Sequence, residues 1–245
     1  FLSLLPKVYK PTDQHMGYNH AIRRDGRLVA IAAVFPLTWH VGGTELRVAG
    51  VSGVSTHPRY RGQGLMIALM RHCLDKIHAA DYSLSWLMGL RSRYRHFGYE
   101  QCGTELLFTL NQKDLQAAGV DGTRVDFRPL AHKDPLLADA QQLHDGQHMY
   151  CERPPREFVD ICRSWNNRPY AAVIGSELAG YLITGVNGSQ VTELVAADVE
   201  NALRIASAWC GHRDIPSITI AVSPANPDLA PVSYTHLRAH ETEAD

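Results

Sequence analysis

The residues with the most legible chemistry stand together at Arg59-Tyr60-Arg61-Gly62-Gln63-Gly64. Pro58 closes the strand-like run before them, and an amphipathic helix follows. A helix N-terminus leaves its first amide N–H groups unpaired and carries roughly half a positive charge. Gly62 and Gly64 allow close backbone approach and positive φ, and Arg59 and Arg61 add positive charge. The sum is an anion site suited to a diphosphate. The nucleotide P-loop pattern is absent, because no Gly-Lys pair occurs in the chain, which leaves nucleotide binding a weak reading. The dinucleotide fingerprint fails as well: Met66 and Ile67 follow Gly64 with no third glycine, and the preceding segments read as antiparallel.

The elements that position this turn can be read on both sides of it. Asp25-Gly26 signals a hairpin between apolar runs at 20–22 and 28–35, and Gly42-Gly43 separates 37–39 from 45–48. A strand at 49–56 then delivers the chain to the turn. Beyond it, Leu65, Leu69, Met70, Cys73, Leu74 and Ile77 recur at spacings of three and four, with Arg71, His72, Asp75, Lys76 and His78 on the other side. That stripe reads as sheet-facing core over a helix at 64–80. Strands are expected at 82–88 and 103–110, and the polar stretch 111–123 reads as a domain boundary. The second half begins again, with strands expected at 125–130, 170–174, 178–184, 191–196 and 215–222 and helices at 135–148, 155–165 and 199–209. Its order echoes the first half without residue-level repetition.

The ordered set of strand, His57-Pro58, basic glycine turn and amphipathic helix resembles the acetyl-CoA-binding motif of GNAT acetyltransferases, R/Q-x-x-G-x-G/A, carried on Arg59-Tyr60-Arg61-Gly62-Gln63-Gly64. The resemblance implies that Arg59, Arg61, Gly62, Gln63, Gly64 and Leu65 hold the pyrophosphate of acetyl-CoA. It also implies that Val54, Ser55 and Thr56 line the pantetheine arm. A second pattern, Tyr94-Arg95-His96-Phe97-Gly98-Tyr99, is similar to the Tyr-x-x-Phe-Gly-Tyr/Phe run of these enzymes. It most resembles the enhanced intracellular survival (Eis) branch, in which two GNAT-like domains precede a sterol-carrier-like domain.

The resemblance makes Tyr94 the general acid, and the chemistry is reasonable. A phenol of pKa about 10 protonating a thiolate of about 8.5 is uphill by roughly 2 kcal/mol, which is small beside an acyl-transfer barrier. Phe97 and Tyr99 read as packing residues. No base is readable; His40, Glu45, His57 and His96 are only polar residues near the motifs.

The implied fold is mixed α/β of the α+β type, with two GNAT-like domains, each a central, mostly antiparallel sheet flanked by helices. The catalytic domain is expected at 1–115 and a second domain, without a CoA motif, at 124–231. The polar stretch 233–245 reads as a non-native or disordered tail. The expected reaction is acetyl transfer from acetyl-CoA to a primary amine of a small molecule, such as an aminoglycoside or polyamine, or to lysine. A non-catalytic acyl-CoA-binding module is the alternative.

Composition bounds the remaining classes. A formal net charge of -1 over 245 residues offers no electrostatic reason to expect nucleic acid or an anionic membrane as a partner. No apolar run approaches the roughly 20 residues that cross a bilayer. The five cysteines are scattered with no C-x-x-C pair, and no His-Glu-x-x-His occurs, so neither a disulfide scaffold nor a metal is expected, and the compartment reads as the cytoplasm. The chain does not open on Met, which reads as a trimmed or fragmentary start. Self-association into a homo-oligomer stays open.

Overall fold

Both turn dipeptides adopt the backbone their composition calls for. Asp25 and Gly26 take φ of 49° and 73°, and Gly42 and Gly43 take 54° and 84°. These positive pairs match the twist of the adjoining antiparallel strands. In this computed structural model, which describes residues 2–122 and 124–223, the turns connect β1 (Asn19–Arg24), β2 (Arg27–Val41) and β3 (Thr44–Thr56), after a short helix α1 (Asp13–Gly17). β2 runs straight through Pro36, so the runs expected at 28–35 and 37–39 are one strand. Pro36 lies beyond the stretch that β1 covers, and no ladder bond to β1 is lost there.

A 3₁₀ turn (Pro58–Tyr60) leads to α2 (Leu65–Ala79), then β4 (Leu84–Leu87), α3 (Arg91–Tyr94) and a 3₁₀ turn at Arg95–Phe97. The strand order is β1-β2-β3-β4, antiparallel except for the parallel pair β3–β4 that α2 connects. The helical stripe is the core: Leu65, Leu69, Met70, Cys73 and Ile77 are buried against Val29, Ala32, Ala49 and Val51.

The remaining elements are β5 (Leu106–Asn111), α4 (Gln112–Ala117), β6 (Val125–Pro129), α5 (Leu137–Asp145), β7 (Met149–Cys151), α6 (Phe158–Cys162), β8 (Arg168–Ile174), β9 (Glu177–Thr184), β10 (Gln190–Ala196), α7 (Val199–Arg213) and β11 (Ser217–Val222). Six of these strands form a sheet in the order β5-β11-β10-β9-β8-β6. Only β10–β11 is parallel, again across a helix, α7. Trp209 on α7 is fully buried and donates its ring N–H to the Gly188 carbonyl at 2.8 Å.

The division between the two compact units falls elsewhere than the polar stretch 111–123 suggests. β5 pairs antiparallel with β11 over its whole length. One unit is therefore Val8–Gly103, and the other takes, of the described residues, 2–7 and 104–223. The polar stretch itself folds as α4, with Leu115 in the second core. The tail expected at 233–245 lies outside the described residues.

The second unit holds a polar network inside its core. Arg153 forks onto Glu193, with one N–H···O distance of 2.7 Å, and the Tyr181 hydroxyl donates to the same carboxylate. His144 donates Nε2–H to the Cys151 carbonyl at 2.9 Å. Burial alone would raise the Glu193 pKa, but Arg153, His144 and Tyr181 hold it below the usual carboxylate value. Burial, reinforced by Arg153, holds His144 below the usual imidazole value. Both groups therefore take up protons more readily in the unfolded chain, so their stabilisation is present near neutral pH and is lost on acidification, His144 first and Glu193 at lower pH. Melting temperature measured from about pH 8 down to about pH 4 is expected to fall, and Glu193→Gln to flatten the lower end of that decline. At neutral pH the same substitution should remove about 3 kcal/mol in urea unfolding, because it leaves Arg153 without its counter-charge.

Candidate active site

β3 outruns its parallel partner. Pairing with β4 begins at Val48↔Leu84 and stops at Val51↔Leu87, whereas β3 continues to Thr56. Past Val51 the two strands fork, and the β4-facing backbone edge of residues 52–56 has no β4 partner. On the other side the register with β2 slips: Ser52 pairs with Ala33 and Ser55 with Ile31, so Gly53 and Val54 share one position opposite Ala32. Gly53 takes φ +62° in this bulge. Such an insertion bends a strand and re-aims the residues beyond it.

The chain then turns in a fixed way. The His57 N–H donates to the Val29 carbonyl at 2.9 Å, which ties the turn to β2. His57 Nδ1 accepts from the Arg59 N–H at 3.3 Å and caps the 3₁₀ turn. Arg61 is extended, and Gly62 (φ +76°) and Gly64 (φ +71°) are both left-handed, a conformation that costs an L side chain roughly 1–2 kcal/mol. Gly64 is the N-cap of α2 and offers no side-chain bond; the first helical bond is Ala68 N–H to the Gly64 carbonyl at 3.0 Å. The amides of Leu65, Met66 and Ile67 precede that bond, so the positive end of α2 is open.

A cavity of about 630 Å³ lies at this point. Of the residues singled out from sequence, Val54, Ser55, Thr56, Arg61, Gly62, Gly64 and Leu65 line it together. Arg59 and Gln63 do not; Gln63 Oε1 instead accepts from Arg24 of β1 at 2.6 Å. The structure adds Tyr60, Met66, Ile67 and Arg93. Arg93 was visible in the sequence only as one of three arginines around Tyr94.

Tyr94 stands in the core below the fork, not in the cavity wall. Its ring is buried among Ala49, Val51, Met70 and Ile77, on the α2 face of the sheet. It lies against Gly89, just past the end of β4, where a Cβ would overlap the ring. The segment is clamped by the ion pair Arg91–Glu100, with a second contact at 3.0 Å. Tyr99 meets Tyr94 edge-on at 6.3 Å between centroids. The Ser85 hydroxyl donates to the Ala49 carbonyl at 3.0 Å, so Tyr99 is the donor in its 2.6 Å bond to Ser85. Burial pushes the Tyr99 phenol up.

The polar residues near the motifs separate. His40 and Glu45 face one another across the far end of the β2–β3 hairpin. At about 3.3 Å per residue, Glu45 is roughly 35 Å along β3 from Thr56. His57 is engaged as a cap, and His96 is exposed on the Arg95–Phe97 turn. No base is assigned. His144 and His148 are four apart, but α5 ends at Asp145 between them. Among the described residues no group of three His, Cys, Asp or Glu is placed to hold a metal ion, and no helix is long and apolar enough to cross a membrane.

The second unit repeats the strand–helix–strand order with a different helix start. β10 pairs with β11 only at Gln190↔Thr219 and Val191↔Ile220, then the strands part. There the N-cap of α7 is Asp198, whose carboxylate accepts from the Asn201 N–H at 2.8 Å. A carboxylate on that amide uses one of the donors and adds negative charge where α2 has Gly64 and neighbouring arginines.

Residues 7–102 match the family described as "Acetyltransferase (GNAT) domain". Among solved structures, the chain is similar to a GCN5-related N-acetyltransferase from Kribbella flavida, with 24% identity and a TM-score of 0.67 over 94% of this chain and 58% of that one. Eis1 from Mycobacterium abscessus aligns with 18% identity and a TM-score of 0.58, over 83% of this chain and 56% of that one. The N-myristoyltransferase of Saccharomyces cerevisiae, solved with bound myristoyl-CoA, aligns with 10% identity and a TM-score of 0.54, over 90% of this chain and 64% of that one. The chain thus spans less than two thirds of each. These likenesses establish the shared fold. No curated protein matches the sequence.

Proposed function

We propose, from the premise that residues 7–102 form a GNAT acetyltransferase domain, that this chain transfers the acetyl group of acetyl-CoA to a primary amine. The observation that carries the reading is the open, glycine-capped, arginine-flanked start of α2 at the mouth of a forked sheet. The first-turn amides and Arg61 would hold the pyrophosphate, and the unpaired edge of residues 52–56 would pair with the amides of the pantetheine arm. That path leads the thioester toward the base of the fork, beside Gly89 and Tyr94. The amine nitrogen attacks the thioester carbonyl carbon, the carbon–sulfur bond breaks, and the Tyr94 phenol gives its proton to the departing CoA thiolate. The proton shed by the amine goes to solvent, from which the phenolate is restored. The products are an N-acetylated amine and CoA.

The acceptor is proposed to be a small amine, with aminoglycosides and polyamines first on the panel, or a lysine side chain. We read the second unit as a GNAT-like domain without a CoA site, because Asp198 occupies the helix start that Gly64 leaves open. The cytoplasm is the proposed compartment, in keeping with five scattered cysteines and no C-x-x-C pair.

Thiol release from acetyl-CoA should rise when amines from this panel are added, and calorimetric titration should saturate at one CoA per chain. CoA binding with no amine-dependent release would favour a non-catalytic module. Two equivalents of CoA would overturn the reading of the second unit.

A further inference from the structure

The base of the fork is closed on both faces of the sheet. The last β3–β4 pair is Val51↔Leu87, so an acyl group that reaches this point cannot continue between the strands. It has to turn toward one face or the other. Ala49 and Val51 pack with Met70, which identifies their face as the α2 face. That face is filled by the Tyr94 ring lying on Gly89. Gly50 alternates with Ala49 and Val51 and so faces away from α2. Phe35, its register partner on β2, lies over it, and a Cβ on Gly50 would overlap the Phe35 ring. Phe35 is buried with Val8 and Ala33. The Tyr9 hydroxyl takes the place of a Gly53 Cβ in the same way, further up the fork.

We infer that Phe35 sets the acyl-chain length that the fork accepts, restricting it to short acyl groups. The inference rests on the acetyl-CoA reading of the site. Of the two rings that close the base, Tyr94 is held in place by the helix side of the core. Phe35 fills the face away from α2, where removing its ring leaves room for a longer chain. A longer acyl group in the native protein must displace that ring or leave the fork, and a tight apolar pocket discriminates by about tenfold or more for a single misfitting methylene.

The test is the affinity of CoA, acetyl-CoA and octanoyl-CoA for wild type, Phe35→Ala and Phe35→Leu, with melting temperatures recorded for each. Wild type should bind octanoyl-CoA about tenfold or more weaker than acetyl-CoA, and Phe35→Ala should erase most of that gap while leaving the affinity for CoA itself unchanged. Phe35→Leu should fall between them, and it decides the matter if the alanine variant does not fold. An octanoyl-to-acetyl ratio that is the same in all folded variants would overturn the role of Phe35 while leaving the CoA site standing. Failure of wild type to bind CoA at all would overturn the site and the inference together.

Discussion

Tyr94→Phe is expected to lower turnover by between about a hundredfold and about ten-thousandfold, the range that a positioned general acid supplies. The substitution keeps the ring that lies on Gly89 and packs against Met70, so the core beneath the fork should survive. CoA affinity should be unchanged, because Tyr94 does not line the cavity at the start of α2. The separation of these two readouts is the point of the experiment. A loss of CoA affinity parallel to the loss of rate would mean that the phenylalanine disturbs the fork. Unchanged turnover would mean that the hydroxyl is not the acid and that Tyr94 serves the core alone. Tyr99 is a built-in comparison, since its hydroxyl already donates to Ser85. Tyr99→Phe should leave the rate within a few-fold of wild type.

Gly64→Val should weaken CoA binding by about tenfold or more, and Gly64→Asn by much less. Gly64 sits at φ +71° and no atom lies within 4 Å of where its Cβ would stand. The penalty is therefore in the backbone rather than in crowding. A β-branched residue in the left-handed region is strained by roughly 1–2 kcal/mol or more, whereas Asn tolerates it. Relief of that strain would rotate the peptide that starts α2, and with it the amides proposed to meet the pyrophosphate. Calorimetric titration of both variants with CoA checks the ranking. Equal losses for Val and Asn would instead indicate that the ligand comes too close to Gly64 for any side chain.

The cradle was legible because every part of it is local. A proline stop, two glycines, flanking arginines and a helix with apolar residues at three- and four-residue spacing are contiguous, and Val54, Ser55, Thr56, Arg61, Gly62, Gly64 and Leu65 lie around one cavity. The fork was not legible. It depends on where β4 stops pairing with β3, and β4 is separated from that point by all of α2. The seat of Tyr94 is equally tertiary, since nothing in Gly89-Leu90-Arg91 announces that a ring will lie on the glycine. Sequence order alone places β5 with the first half, which it follows directly. Its actual partner, Ser217–Val222, lies at the other end of the described chain. His40 and Glu45 looked near the motifs in sequence, and strand length removes them. Gln63 sits inside the motif, yet its side chain goes to Arg24.

The pairing of β5 with β11 also orders events during synthesis. The unit Val8–Gly103 is continuous, so β1, β2, β3 and β4 can pair with one another as soon as those residues leave the ribosome. The other unit cannot finish until Ser217–Val222 has been made, because β11 stands between β5 and β10 and no other strand of the sheet bridges them. Leu106–Asn111 must wait, extended and apolar, through the translation of more than half of the chain that follows it. Closing so long a loop is slow, and an unpaired strand edge in the interval is open to pairing with another chain. The vulnerable moment in the life of this protein therefore belongs to the second sheet, after the proposed catalytic unit has already formed.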